Sequence, residues 1–396
     1  MSRSRVAAVA VALVAGGLAA PSPSYAAEPG VDVPGNAWVT IQGHGYGHGH
    51  GLSQYGAEGA ARQGLTAQQI IDFYYPGTAA ATVTGTVSVK ITADTDNNTI
   101  VLPRSGLQLS DLASGATWTL PANGAKRWRL SAGAGASSRV SYLTGTWHRW
   151  RTLAGDGAFR AGGKPVTLVT PAGQVRYRGA LRSVRPAPGS KRDTVNVLHL
   201  DNYLRGVVPR EMPASWSPAA VQAQAIAART YAAYERAHPL SNTYQICDTT
   251  SCQVYGGYSA EHPDANAAIR ATTGRIQTYA GEPAFTQFSA SSGGWTSAGS
   301  VAYLSAKKDP YDGWSGNAVH TWSLKLDASR IERLWPRIGN LRAIRVVSRD
   351  GHGEWGGRIR TLVLDGGRAD VTISGDDFRS RLGLRSTWLS FKAARK

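Results

Sequence analysis

The sequence predicts an α+β fold, and three observations carry that expectation. Residues 80–197 consist of short runs in which apolar and polar residues alternate between Gly, Asn and Asp turns, the pattern of half-buried strands. Residues 218–237 are one alanine-rich stretch opened by Ser217 and Pro218, residue types that cap and start a helix. The chain has 396 residues, 42% of them hydrophobic. That is enough for one large domain or two ordinary ones, and unlike a disordered, collagen-like or disulfide-stapled chain.

The elements follow in chain order. Arg3 and Arg5 precede an apolar run over 6–20, then Pro21 and Pro23, then Ser24-Tyr25-Ala26. This is the charged, apolar and small-residue layout of a secretory signal over residues 1–26; the apolar run is too short for a membrane span. No later stretch approaches spanning length, so no stable membrane insertion is expected. Residues 27–79 hold a Gly-His segment, Gly43 to Gly51, followed by two short helices over 58–63 and 67–74, the second started by Thr66. Strands are expected at 86–91, 166–169 and 194–198, with a loop at 132–138. The helix 218–237 carries Val221, Ala225, Ala228 and Ala232 on one face. Strands return at 344–347 and 361–364, and a short helix is expected at 376–382.

The charge narrows the partners. Lys and Arg number 43 against 26 Asp and Glu, a formal net charge of +17, which points to an anionic partner. An exported chain meets the cell envelope rather than nucleic acid, and no nucleic-acid signature accompanies the charge. Secretion also bears on Cys247 and Cys252, the two cysteines of the chain. Five positions apart in an oxidising compartment, they are expected to form a small disulfide loop. Zinc is the rival, with His44, His48, His50 or His262 as further ligands, and is disfavoured on compartment grounds.

One acid stands out. Glu211 lies between Pro209 and Pro213 in a stretch expected to be a stiff, mostly apolar turn. Such a setting desolvates a carboxyl and raises its pKa, as a general acid requires. The alternative is a surface Glu near a helix start, held by the helix dipole.

The motifs around Glu211 are specific. Tyr203-Leu-Arg-Gly-Val-Val-Pro-Arg-Glu-Met-Pro-Ala-Ser-Trp216, followed by Val221-Gln-Ala-Gln-Ala-Ile-Ala-Ala-Arg-Thr-Tyr231, resembles the stage II sporulation protein D/LytB family. Further similarities follow in order: Gln253-Val-Tyr-Gly-Gly257, Phe288-Ser-Ala-Ser-Ser-Gly-Gly-Trp-Thr296, Asp309-Pro-Tyr-Asp312 and Phe378 to Thr387. Together they cover roughly residues 80–390. In that family the Gly-His-Gly and Ser-Gln-Tyr-Gly-Ala element closes the domain, whereas here it stands at 47–57, ahead of it. The resemblance therefore implies a circular permutation, with residues 27–79 packing on a catalytic domain of 80–396 (a β-rich part over 80–197 and a motif-bearing part over 198–396).

The resemblance also implies function: a secreted peptidoglycan lytic transglycosylase with a few helices lining a glycan cleft and no cofactor. Glu211 would be its general acid and base, cleaving between N-acetylmuramic acid and N-acetylglucosamine with a 1,6-anhydro product. One carboxyl suffices there because the sugar supplies its own nucleophile, whereas an ordinary glycosidase needs a second; Asp201 and Asp248 are the acids nearby in sequence. Tyr203, Arg229, Gln253, Tyr255, Ser291, Ser292, Gly293 and Gly294 are the expected substrate-binding residues, joined by His48, Ser53 and Gln54 through the permutation. Trp216 and Trp295 are the tryptophans nearest the motifs. Two other readings remain open: a non-catalytic wall-binding or amidase-enhancing module, with wall amidases as partners, and a hydrolase of another acidic envelope polymer.

Overall fold

The computed structural model describes residues 30–396; the signal expected over 1–26 lies outside the described residues. Those residues form 25 strands in six sheets with seven α-helices, the mixed α+β class expected. The helices are α1 (Gln54–Arg62), α2 (Ala67–Tyr74), α3 (Leu200–Glu211), α4 (Pro218–Ala237), α5 (Pro263–Ala271), α6 (Ala328–Leu334) and α7 (Gly375–Leu382).

Alternation builds the β-rich half. A seven-stranded and a six-stranded sheet pack face to face. Val87, Val89, Leu109, Phe159 and Leu181 come from one inner face, and Val101, Trp128, Leu130, Val140 and Leu168 from the other. Each fully buried Val, Leu or Phe contributes on the order of 1.5–3 kcal/mol. The strand Asp193–His199 runs without a loop into α3, which carries Tyr203, Leu204, Val207 and Val208 into the same core.

The turn expected around Glu211 is therefore the end of a helix. Pro209 sits within α3, but so close to its C-terminus that the missing N–H deletes one backbone bond. Burial of the apolar face outweighs that loss.

Helix α4 is buried on two sides. Val221, Ala225, Ala228 and Ala232 pack on the β-sheet core, while Ala220, Ala223, Ile226 and Ala227 pack against α1 and α2. Alanine lets neighbours close in from both sides. Ser217 precedes α4 as expected, but its side chain makes no capping bond. Instead the buried Glu58 carboxylate accepts from the Ser217 N–H at 2.8 Å and its hydroxyl at 3.2 Å, a negative charge at a helix N-terminus. Helix α1 begins at Gln54, four residues earlier than expected, because Ser53 Oγ accepts the Gly56 N–H. A Thr66–Gln69 capping box opens α2.

The remaining core joins the two ends of the described residues. Strand Ala37–His44 lies between Thr321–Asp327 and Leu389–Arg395, antiparallel to both. Its Val39 and Ile41 share a core with Leu326, Ile331, Ile344, Leu362, Phe378 and Leu389. Ala37 is paired with Arg395, and the Lys396 N–H donates to the Asn36 carbonyl at 3.0 Å. The strand Ala37–His44 and the last strand, Leu389–Arg395, are thus neighbours, set as the two arms of a hairpin.

Candidate active site

The Gly-His segment reaches the Glu211 region by close backbone approach. Gly45 has φ +72°, and a Cβ there would meet the Ser291 carbonyl at 2.6 Å; at Gly51, φ +64°, it would meet the Gln287 carbonyl at 2.1 Å. Only glycine fits both positions. The chain from Tyr46 to Ser53 is thereby laid along residues 287–292: Tyr46 and Ser291 exchange backbone bonds, and Leu52-Ser53 pairs in parallel with Phe288-Ser289.

That approach brings Gln54 and His48 to Glu211. The Glu211 carboxylate accepts the Val254 N–H at 3.1 Å and a hydrogen bond from the Gln54 side chain. Gln54 Nε2 also donates to Gln224 Oε1, inside α4, at 3.3 Å. Burial pushes the Glu211 pKa up to about 6, against the opposing pull of these two hydrogen bonds and of Arg210. Glu211 ends α3 rather than starting a helix, so the dipole opposes its charge instead of stabilising it.

Glu211 lines a cavity of about 210 Å³. His48 enters from the Gly-His segment, Tyr231 from α4, Gln287 and Phe288 from the facing segment, Thr250, Ser251 and Cys252 from the disulfide loop, and Val254 from just after it. His48 is held in one tautomer: Nδ1 accepts the His50 N–H at 2.9 Å, and the ring bonds to the Phe288 backbone. Burial, then His50, Arg358 and Arg379, lower its pKa to about 3, so it is neutral near pH 7. A larger hollow, about 710 Å³, lies at His44, Glu354 and Trp355 and holds none of the expected substrate-binding residues.

Cys247 and Cys252 form the expected disulfide, with Cys247 on a short strand parallel to Thr86–Lys90. With both sulfurs so bonded, the donor set does not fit zinc, and no cluster of three metal-ligating side chains occurs among the described residues.

Other expected substrate-binding residues are directed inward. Arg229 is fully buried, and its guanidinium meets Asp201 at 2.7 Å and the Arg275 carbonyl at 3.1 Å. Tyr203 donates to Gln253 Oε1, Gln253 to the Ala228 carbonyl, and Tyr255 to Asn196 Oδ1. All four side chains have internal partners, as buried polar groups require, and none lines the cavity. Asp248 accepts from Thr92 at 2.6 Å and is likewise off the cavity wall. Trp216 packs edge-on against Tyr55 and Trp314, and Trp295 stacks on His352.

Ser53, Ser291, Ser292, Gly293 and Gly294 belong to a buried knot around two aspartates. Asp312, fully buried, accepts from Ser53 Oγ at 2.6 Å, Ser291 Oγ, the Ser292 and Gly293 N–H groups, and Asn317 Nδ2, and pairs with His320 Nδ1 at 2.8 Å. These donors hold its pKa below the ordinary range although burial acts the other way. Asp309 accepts from Tyr74 and Ser292, and Ser292 Oγ in turn accepts the Gly294 N–H. The knot fastens residues 291–294, the Asp309–Asp312 loop and the N-terminal segment together. In the sequence Asp309–Asp312 is a motif without a role, and Gln224 gives no local sign that it partners Gln54, since Gln222 stands two residues before it in the same helix.

A half-buried acid with a raised pKa, at the wall of a narrow polar cavity in an α+β frame, is the arrangement of an acid/base site. Comparison with known proteins agrees in region. Residues 189–279, which include α3, α4 and the disulfide loop, match the family described as SpoIID, Stage II sporulation protein. Stage II sporulation protein D of Bacillus amyloliquefaciens is 27% identical over 260 residues, 58% of this chain and 68% of that protein. Its Bacillus subtilis (strain 168) counterpart is 28% identical over 239 residues, 54% of this chain and 64% of that protein. The Amidase enhancer of Bacillus subtilis (strain 168) is 40% identical over 135 residues, a third of this chain (33%) but only 17% of that protein. The chain is thus similar to the SpoIID family over residues 189–279, and it spans less than a fifth of the amidase enhancer's length.

Proposed function

We propose that this protein is a lytic transglycosylase of the bacterial cell wall, acting on peptidoglycan strands outside the cell, with Glu211 as its acid and base. The observation that carries this reading is the isolation of Glu211: it is the one carboxyl on the wall of its cavity, with a pKa raised to about 6. Protonated, it gives its proton to the glycosidic oxygen as the bond to N-acetylmuramic acid breaks. The resulting carboxylate takes the proton of the muramoyl 6-hydroxyl, whose oxygen closes the 1,6-anhydro ring. The nucleophile is intramolecular, so a second carboxylate is not required. The Val254 N–H and Gln54 stabilise the carboxylate between the two transfers, and neutral His48 offers a fixed, uncharged ring to the sugar.

The same reading treats residues 27–79 as the relocated end of a circularly permuted domain. The Lys396–Asn36 hydrogen bond supports it, since a short turn there would restore the other order. Asn36 and Lys396 lie side by side, as such a rearrangement requires.

A second reading has its own support in the amidase enhancer similarity: binding the wall and stimulating an amidase without cutting glycan. Incubation with purified peptidoglycan, followed by mass spectrometry, separates these readings. Anhydro-muramoyl ends are expected. New reducing ends would indicate a hydrolase, and no new ends with retained binding would favour the non-catalytic module.

A further inference from the structure

We propose that the outer face of the six-stranded sheet is a docking surface for an extended polymer charged by phosphate diesters, of the poly(glycerol phosphate) type. The six strands, Asn98–Val101, Arg127–Ala132, Ser138–Leu143, Trp147–Leu153, Val166–Thr170 and Gly173–Tyr177, contain six arginines and no Asp, Glu or Lys. A sheet face exposed to water normally mixes both signs. The opposing seven-stranded sheet does so, with Asp193 ion-paired to Lys90 beside Arg182.

Register places the charges together. Trp128, Leu130, Val140 and Leu168 point into the core, so Arg127, Arg129, Arg139, Arg149 and Arg176 share the opposite face. Arg129 and Arg149 both stand opposite Ser141, and Arg139 stands opposite Ser131. Among the described residues none of the five forms an ion pair. The carboxylate whose field reaches Arg129 is Asp96, while Arg139 repels it.

The spacing selects a polymer over a small ion. Arg129 and Arg149 are two strands apart, about 10 Å, and Arg176 lies three strands from Arg129 on the other side, about 14 Å. No two guanidinium groups are brought to one point by this register. Arg149 and Arg176 thus stand farther from Arg129 than the roughly 8 Å over which salt screens exposed charges, while Arg127 and Arg139 lie nearer to it, so the charges form a row rather than a single pocket.

The residue type selects phosphate. A guanidinium fork takes two oxygens of an oxyanion at once, which an ammonium does not. A phosphodiester backbone presents such a pair of oxygens at every repeat, whereas polypeptide carboxylates hang on flexible stems. Two forks are already seated on rings, Arg129 over Trp147 at 3.9 Å and Arg176 over Tyr258 at 4.8 Å. The guanidinium groups occupy these rings, which leaves bases no free ring to stack on there and disfavours single-stranded nucleic acid. None of these residues touches the Glu211 cavity, so the inference stands apart from the reaction proposed there.

The test uses the full chain and poly(glycerol phosphate) as probe, with affinity measured across salt concentrations. Arg139, Arg149 and Arg176 are exposed, so the triple variant R139Q/R149Q/R176Q should fold. Each phosphate contact contributes about 0.7 to the salt slope of a single-stranded polyanion. Loss of three contacts should thus weaken binding roughly fiftyfold at 0.15 M salt and flatten the slope by about two. R337Q/R342Q/R360Q, which removes equal charge from exposed sites elsewhere, should bind like the parent, as should E211Q. Equal binding by parent and sheet variant would overturn the proposal. So would equal loss in the control triple, or binding of poly(glutamate), oligo(dT) or anionic phospholipid vesicles as tight as that of the phosphate polymer.

Discussion

Replacing Gln54 with Leu should move the ionisation of Glu211, although the two residues are 157 positions apart. Gln54 donates a hydrogen bond to the Glu211 carboxylate and so holds its pKa below the level that burial alone would set. A hydrogen bond to a charged group is worth about 1.5–3 kcal/mol, and one pKa unit corresponds to about 1.4 kcal/mol. The Glu211 pKa should therefore rise by about 1–2 units from its value near 6. The proton donor must be protonated to act, so glycan cleavage falls as pH rises through this pKa. In Q54L that alkaline limb should shift upward by the same 1–2 units. The assay is release of anhydro-muropeptides across pH 4–9, with circular dichroism to establish folding. A folded Q54L whose alkaline limb coincides with that of the parent would refute the coupling.

Other outcomes follow from the same geometry. R229A leaves Asp201 without its buried partner and should cost about 3–5 kcal/mol in denaturant unfolding, whereas a substrate-binding role would raise KM with stability intact. The loop closed by Cys247 and Cys252 is short, so C247S/C252S should lose only about 2 kcal/mol by chain entropy. Activity should fall further than stability, because that loop supplies three positions of the cavity wall and leads directly to the Val254 N–H. E211Q should be more stable than the parent at pH 8. Glu211's pKa rises on folding from 4.5 to about 6, so the folded state loses stability as pH climbs through that window, by up to about 2 kcal/mol. A thermal melt in which E211Q and parent diverge at pH 4 but coincide at pH 8 would contradict this.

Elements built from local signals were legible in the sequence. Helix α4 announces itself through Ser217, Pro218 and its alanines, and the strands through alternation, because these signals act within a few residues. Glu211 was legible as the acid to watch through its prolines and the family motif. What escaped depended on contacts between distant segments. Pro209 suggested a turn, yet tertiary burial of the Val207–Val208 side carried α3 through to Glu211. The carboxylate at the start of α4 comes from Glu58, and no local rule reports that. The serines and glycines of 291–294 have the chemistry of sugar ligands, but Asp309 and Asp312 hold most of their donors from within. Arg229, Tyr203, Gln253 and Tyr255 were similarly ambiguous, since a buried hydrogen-bonding residue and a substrate ligand share one residue type. At Gly45 and Gly51 the missing side chains let the backbone approach residues 287–291 closely, a contact whose partner only the fold reveals.

The most direct measurement of the central claim is the product of E211Q on purified peptidoglycan. The substitution keeps shape and the capacity to accept from Val254 and Gln54, and removes the proton. The parent should generate anhydro-muramoyl ends, and folded E211Q should bind the same glycan while forming them at least about 10²-fold more slowly. Anhydro ends produced by E211Q at the parent's rate would contradict the assignment of Glu211 as acid and base.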